Sequence, residues 1–149
     1  MYEHYDRILT ERQLLLSQFQ TRFHQSNCPA VAAAVQRFLE TGAVRRAADV
    51  PSGFGCRDSG LPFTQIDVAT LLANAQAGGH GFQVVVGASN PASGREHYAN
   101  IVNIRGAVYY VDAFTRPGAI SAPNDIAPWL SWANRLEFSS RYECSLAPV

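Results

Sequence analysis

The chain has 149 residues, 47% hydrophobic and 16% charged, with 12 basic side chains against 12 acidic ones. That composition excludes a disordered polyampholyte and leaves room for one domain with a substantial core. A formal charge of zero gives no electrostatic footprint for nucleic acid or an anionic membrane, and no apolar run is long enough to span a bilayer, so neither is expected as a partner.

Residues 5–23, "YDRILTERQLLLSQFQTRF", put Tyr5, Ile8, Leu9, Leu15, Leu16, Phe19 and Phe23 on one helical stripe, the pattern of a packing helix. "SNCPAVAAAVQRFLETG" follows as a second helix, with Ser26 or Asn27 as N-cap, Pro29 in the tolerant first turn and Gly42 as the stop. Cys28 therefore opens a largely apolar helix whose buried face is Val31, Val35, Phe38 and Leu39. The Gly- and Pro-rich stretch around Cys56 reads as a long loop. "TQID" at 64–67 is a capping signature for a helix through Leu71, Leu72 and Ala75 that Gly78 and Gly79 end. "GFQVVVGAS" reads as a buried strand and "NPASGRE" as a loop. "TRPGAISAPND" reads as another loop, "PWLSWANRL" as a short helix and "LEFSSRY" as a last strand.

The informative stretch is "REHYANIVNIRGAVYYVDA", residues 95–113. Two alternating runs flank Arg105-Gly106, a two-residue connection suited to a tight hairpin. That turn sets Ile104 opposite Ala107, hence Ala99 opposite Asp112 and His97 opposite Phe114. His97 and Asp112 then project from one face as diagonal neighbours, roughly 7–8 Å apart at the backbone and within side-chain reach. A three-residue loop would put them on opposite faces. A carboxylate beside an imidazole fixes its tautomer and stabilises the imidazolium. Cys28 supplies a nucleophile, because the exposed N–H groups of a helix start and a neighbouring imidazolium both favour the thiolate. The Cys28 backbone N–H also lies where an oxyanion could be bound, with Asn27 or Gln25 as side-chain donors.

Cys28, Cys56 and Cys144 are too widely spaced for a CxxC metal pattern or a disulfide framework, and Cys56 and Cys144 read as small buried hydrophobes. His24 lies four before Cys28 with no further ligand type nearby, so no metal and no cofactor is expected. His80, between two glycines, is a loop residue and a weaker alternative base, and His4 lies near a fraying end.

Taken together, "NCPAVAAAVQRFLETG", the helix ending in Gly-Gly with a strand after it, and "EHYANIVNIRGAVYYVDAFTRPG" resemble the Tox-PL papain-fold domains of bacterial polymorphic toxins and effectors, which are similar to protein-glutamine deamidases. The resemblance spans roughly residues 26–118 and departs from the family at Phe114, where members commonly carry Gln. It implies an α+β, papain-like fold over residues 1–149 as a single catalytic domain, residues 1–25 forming an N-terminal packing element, and a chain cut from a longer toxin or effector. It implies Cys28 as nucleophile, His97 as general base and acid, and Asp112 as orienter. The expected partners are a target protein in the cytoplasm of a recipient cell into which the domain is secreted or delivered, and a cognate immunity protein; a monomer is expected. The same three residues also permit a cysteine protease, a transglutaminase or a cell-wall amidase. A reading of another class is a binding module in which Cys28 is core.

Overall fold

A computed structural model describes residues 3–20, 28–48, 56–58, 63–114, 119–121, 125–140 and 142–144. The chain begins with a 3-10 turn, Glu3–Tyr5, then α1 (Asp6–Thr10) and α2 (Arg12–Ser17), followed by α3 (Cys28–Thr41), β1 (Cys56–Asp58) and β2 (Thr64–Gln65). Next come α4 (Val68–Gly78), β3 (Gln83–Asn90), β4 (Arg95–Ile104), β5 (Ala107–Asp112) and β6 (Ala119–Ser121). α5 (Ile126–Leu130), β7 (Arg135–Ser139) and β8 (Tyr142–Cys144) complete it. The fold is α+β: an open antiparallel sheet of order β2-β7-β3-β4-β5-β6, with a separate β1-β8 ribbon.

Both faces of the sheet are covered, so the central strands carry apolar residues on both sides. On one face Val102, Ile104 and Val111 meet Val31, Val35, Phe38 and Leu39 of α3 and, beyond them, Tyr5, Ile8, Leu15, Leu16 and Phe19 of the N-terminal segment. On the other, Val84, Val86, Ala99, Ile101 and Tyr110 meet Leu71 and Ala75 of α4 and Ile126 and Leu130 of α5. Each large side chain fully buried here contributes about 1.5–3 kcal/mol.

β4 fixes both helices to the sheet. Asn100 and Asn103 differ by three positions and so point to opposite faces. Asn100 Nδ2 donates to the Ala32 carbonyl of α3 at 3.0 Å, and Asn103 Nδ2 donates to the Ala75 carbonyl of α4 at 2.9 Å. Asn103 Oδ1 also accepts the Gly106 N–H at 2.9 Å, tying the hairpin turn to the same residue.

Four expectations change. The N-terminal helix is broken at Glu11, whose φ of −115° leaves the helical region, and Leu9 is 38% exposed rather than buried. Asp67, not Thr64, caps α4: its carboxylate accepts the Thr70 N–H at 2.8 Å, while Thr64 and Gln65 pair with β7. The loop after the hairpin contains edge strand β6, and the last predicted strand is β7, inserted between β2 and β3. The Ser26 and Asn27 caps and Phe23 lie outside the described residues.

Candidate active site

The Arg105-Gly106 turn has φ +54° and +89°, the two positive angles of a primed hairpin turn, and the ladder runs from Ile104↔Ala107 to Asn100↔Val111. It stops there: β5 continues through Asp112 against β6, and β4 continues through His97 against β3. Where the two strands stop pairing, His97 Nε2 and Asp112 Oδ2 are 2.7 Å apart. The predicted register and the shared face are both present.

Asp112 is 1% exposed, yet both its oxygens are engaged, since Oδ1 accepts the Phe114 N–H at 3.1 Å. This local bond folds Phe114 back so that its ring lies 5.9 Å from the His97 ring. Gln20, 7% exposed, donates from Nε2 to the Ala113 carbonyl at 2.6 Å and anchors the segment just after Asp112 to the end of the N-terminal helices.

Cys28 is the first residue of α3, 7% exposed, and carries a free thiol. It faces His97: burial alone would lower the imidazole pKa, but hydrogen bonding and charge from Asp112 and then Cys28 outweigh it and raise His97 to about 9. Because Asp112 occupies Nε2, Nδ1 is the ring atom left for the thiol. Burial, and after it Tyr142, Glu96, Glu137 and Cys28, push the Tyr98 hydroxyl up to about 12. Tyr110 is pushed up further, by burial first and then by Asp112 and Cys28. α3 packs on the face of Val102 and Val111, whereas strand alternation gives His97 the face of Ala99 and Ile101. The β4–β5 ladder ends beside His97 and Asp112, and it is there that the Cys28 side chain acts on the imidazole through hydrogen bonding and charge.

The first-turn N–H groups of α3 have no acceptor within the helix and offer donors for an oxyanion beside the thiol. The side-chain candidates Asn27 and Gln25, like His24, lie outside the described residues. His80 is corrected as a base: its Nδ1 accepts the Arg105 N–H at 2.7 Å, at the turn end of β4 and away from His97. His4 does not fray, for its Nε2 lies 2.8 Å from the Leu39 carbonyl and its ring packs edge-on against Phe38.

The reading of Cys144 as a plain hydrophobe is overturned. Cys144 is disulfide-bonded; Cys28 is free, and Cys56 is the residue in register with Cys144 across the ribbon. Cys144 Sγ lies 3.6 Å from the Pro29 carbonyl, so the bridge sits against the helix start that carries the nucleophile. The Tyr142 N–H is held by Gln36 Oε1 of α3 at 2.9 Å.

Sequence reasoning set Phe114 opposite His97 but missed Gln20, Tyr98 and Tyr110 as parts of this site. Tyr98 was within reach of the register argument, being next to His97; Gln20 depends on a tertiary contact that leaves no mark in spacing. Among the described residues no helix is long and apolar enough to cross a membrane. No protein-family model matches the chain, and neither the curated proteins nor the solved structures contain a match.

Proposed function

We propose that the chain is a thiol-dependent amide hydrolase of the papain-like type, acting as a bacterial toxin or effector that deamidates glutamine in a target protein. The observation that carries the reading is the part-buried His97 imidazole held 2.7 Å from the buried Asp112 carboxylate, with the free Cys28 thiol at a helix start acting on it. The Cys28 thiolate adds to the carboxamide carbon of the substrate, and the resulting oxyanion is met by N–H groups of the first turn of α3. His97, its protonated form stabilised by Asp112, gives a proton to the departing ammonia and leaves a thioester. The neutral ring then takes a proton from water, which attacks the thioester and releases glutamate and the thiolate. A cognate immunity protein in the producer follows from a toxin of this kind.

Intact-mass and peptide mapping of recipient cells expressing the wild type or Cys28→Ala tests the reading. Conversion of an amide to an acid adds about one dalton at the modified glutamine, and it should be missing with Cys28→Ala. Cleaved target proteins instead would mark a protease, and a Cys28 inert to iodoacetamide would mark a binding module. A specific observation favours a second reading: the Cys144 disulfide belongs to an oxidising compartment rather than a recipient cytosol. That setting suits a cell-wall amidase or extracellular protease using the same three residues.

A further inference from the structure

The sheet face next to the nucleophile carries a group of rings that the hydrolytic chemistry does not use. The ladders set Glu137, Gly87 and Tyr98 in one row across β7, β3 and β4. Gly87 presents no side chain there, and a Cβ at that position would lie 2.9 Å from Tyr98 Cε2, so the glycine is the space in which the tyrosine ring lies down across the sheet. Tyr142 stacks on Tyr98 at 6.1 Å and 8°, and Phe63 meets both edge-on at 5.8 and 5.0 Å. All three rings are only half-buried. Glu96, two positions before Tyr98 and on the same face, is exposed and has no ion-pair partner among the described residues. Glu137 holds a long 3.6 Å contact to the exposed Arg135, a pairing of little strength. Tyr98 directly follows His97 on β4, and Tyr142, whose N–H is held by Gln36 of α3, lies two residues before Cys144, whose Sγ is 3.6 Å from the Pro29 carbonyl, so the rings and their acidic rim stand by the start of α3 that carries the thiol.

Resting on the thiol-hydrolase reading, we propose that Tyr98, Tyr142 and Phe63, rimmed by Glu96 and Glu137, form a substrate subsite that takes a lysine or arginine side chain next to the residue attacked by Cys28. An aromatic face within about 6 Å attracts a cation through its quadrupole, and a carboxylate rim adds to that attraction where a neutral or acidic neighbour would be excluded. The aliphatic stem of lysine or arginine covers the rings while the charged head reaches the rim.

The test is the rate at which Cys28 is alkylated by chloroacetyl-lysine amide, chloroacetyl-norleucine amide, chloroacetyl-phenylalanine amide and chloroacetyl-glutamate amide. In each the thiolate forms a thioether and expels chloride, so only the neighbouring side chain differs. The lysine probe should react about fivefold faster than norleucine, the size expected for one cation over an aromatic face with a nearby carboxylate. That ratio should fall towards one in Glu96→Gln/Glu137→Gln, whose substitutions lie on half-exposed or exposed positions and leave the core intact, and also in Gly87→Ala, which lifts the Tyr98 ring. Equal lysine and norleucine rates in the wild type, or a phenylalanine probe faster than lysine, would overturn the subsite while leaving the thiol chemistry standing. A Cys28 that reacts with none of the probes, and not with iodoacetamide, would instead sink the hydrolase reading and the subsite with it.

Discussion

Asp112→Asn isolates the electrostatic part of the site. The substitution keeps the shape of the side chain and an oxygen for the Phe114 N–H, and removes the charge from a residue that is 1% exposed. Lifting the His97 imidazole from 6.5 to about 9 corresponds to about 3 kcal/mol of preferential stabilisation of the protonated ring, at about 1.36 kcal/mol per pH unit. Because the folded pKa lies above the ordinary value, this stabilisation is present in full below pH 6.5 and is lost as pH rises through about 9. His97 should therefore lower the wild-type unfolding free energy by about 3 kcal/mol between pH 6 and 9.5, and by less in Asp112→Asn over the same window. With the carboxylate gone, burial still lowers the ring and only Cys28 raises it, so His97 should titrate lower by about one to three pH units. Proton NMR of the His97 ring gives the titration, and urea melts at a series of pH values give the stability. A wild-type His97 titrating near 6.5, or one that Asp112→Asn leaves where it was, would refute the argument that the carboxylate controls the imidazole.

Three further outcomes follow from contacts around the site. Asn103→Ala should lower the urea midpoint by the equivalent of about 2 kcal/mol, since it leaves the Ala75 carbonyl and the Gly106 N–H without their partner in a residue that is 0% exposed. Gln20→Ala should cost about 1–2 kcal/mol by urea melt and also move the His97 titration, because the Ala113 carbonyl it holds adjoins Asp112; a stability loss with His97 unmoved would show Gln20 to be structural alone. Replacing both Cys56 and Cys144 by serine should lower stability by about 4 kcal/mol, the size expected for opening a long closed loop, and slow Cys28 alkylation through the loosened start of α3.

The hairpin was legible because two independent periodicities agree on it. A two-residue Arg-Gly turn fixes the register, and the alternation on either side fixes the face, so the His97–Asp112 contact follows from counting. The start of α3 was legible from Cys28-Pro29 and its end from Gly42, since helix termini carry local chemistry. What was not legible is non-local. β7 enters the sheet between β2 and β3 although it lies far along the chain from both, and no short-range pattern encodes that pairing. The Cys144 bridge depends on the β1–β8 register, which the spacing of three cysteines does not contain. The capping signature at Thr64 misplaced the start of α4 because an aspartate three residues on can serve either as the third helical residue or as the cap, and here Asp67 bonds Thr70 through both backbone and side chain.

The meeting of thiol and imidazole is set by a single strand. Asn100 holds α3 at Ala32, four residues and about 6 Å of helix beyond Cys28, and it stands three residues, about 10 Å of strand, from His97. The path from nucleophile to base is thus one turn of helix, one hydrogen bond and a short run of β4, with no loop in it. Asn100 bears a cost for this. It is 1% exposed and its Oδ1 has no protein partner among the described residues, so a valine would be the better residue by desolvation alone. An amide is needed at this position because only its N–H reaches the Ala32 carbonyl. A one-residue slip of β4 would turn both Asn100 and His97 to the opposite faces and separate them from α3 and Asp112 together. Helix anchor, imidazole and carboxylate therefore share one register, and the geometry around Cys28 is as well determined as the pairing of β4 with its neighbours.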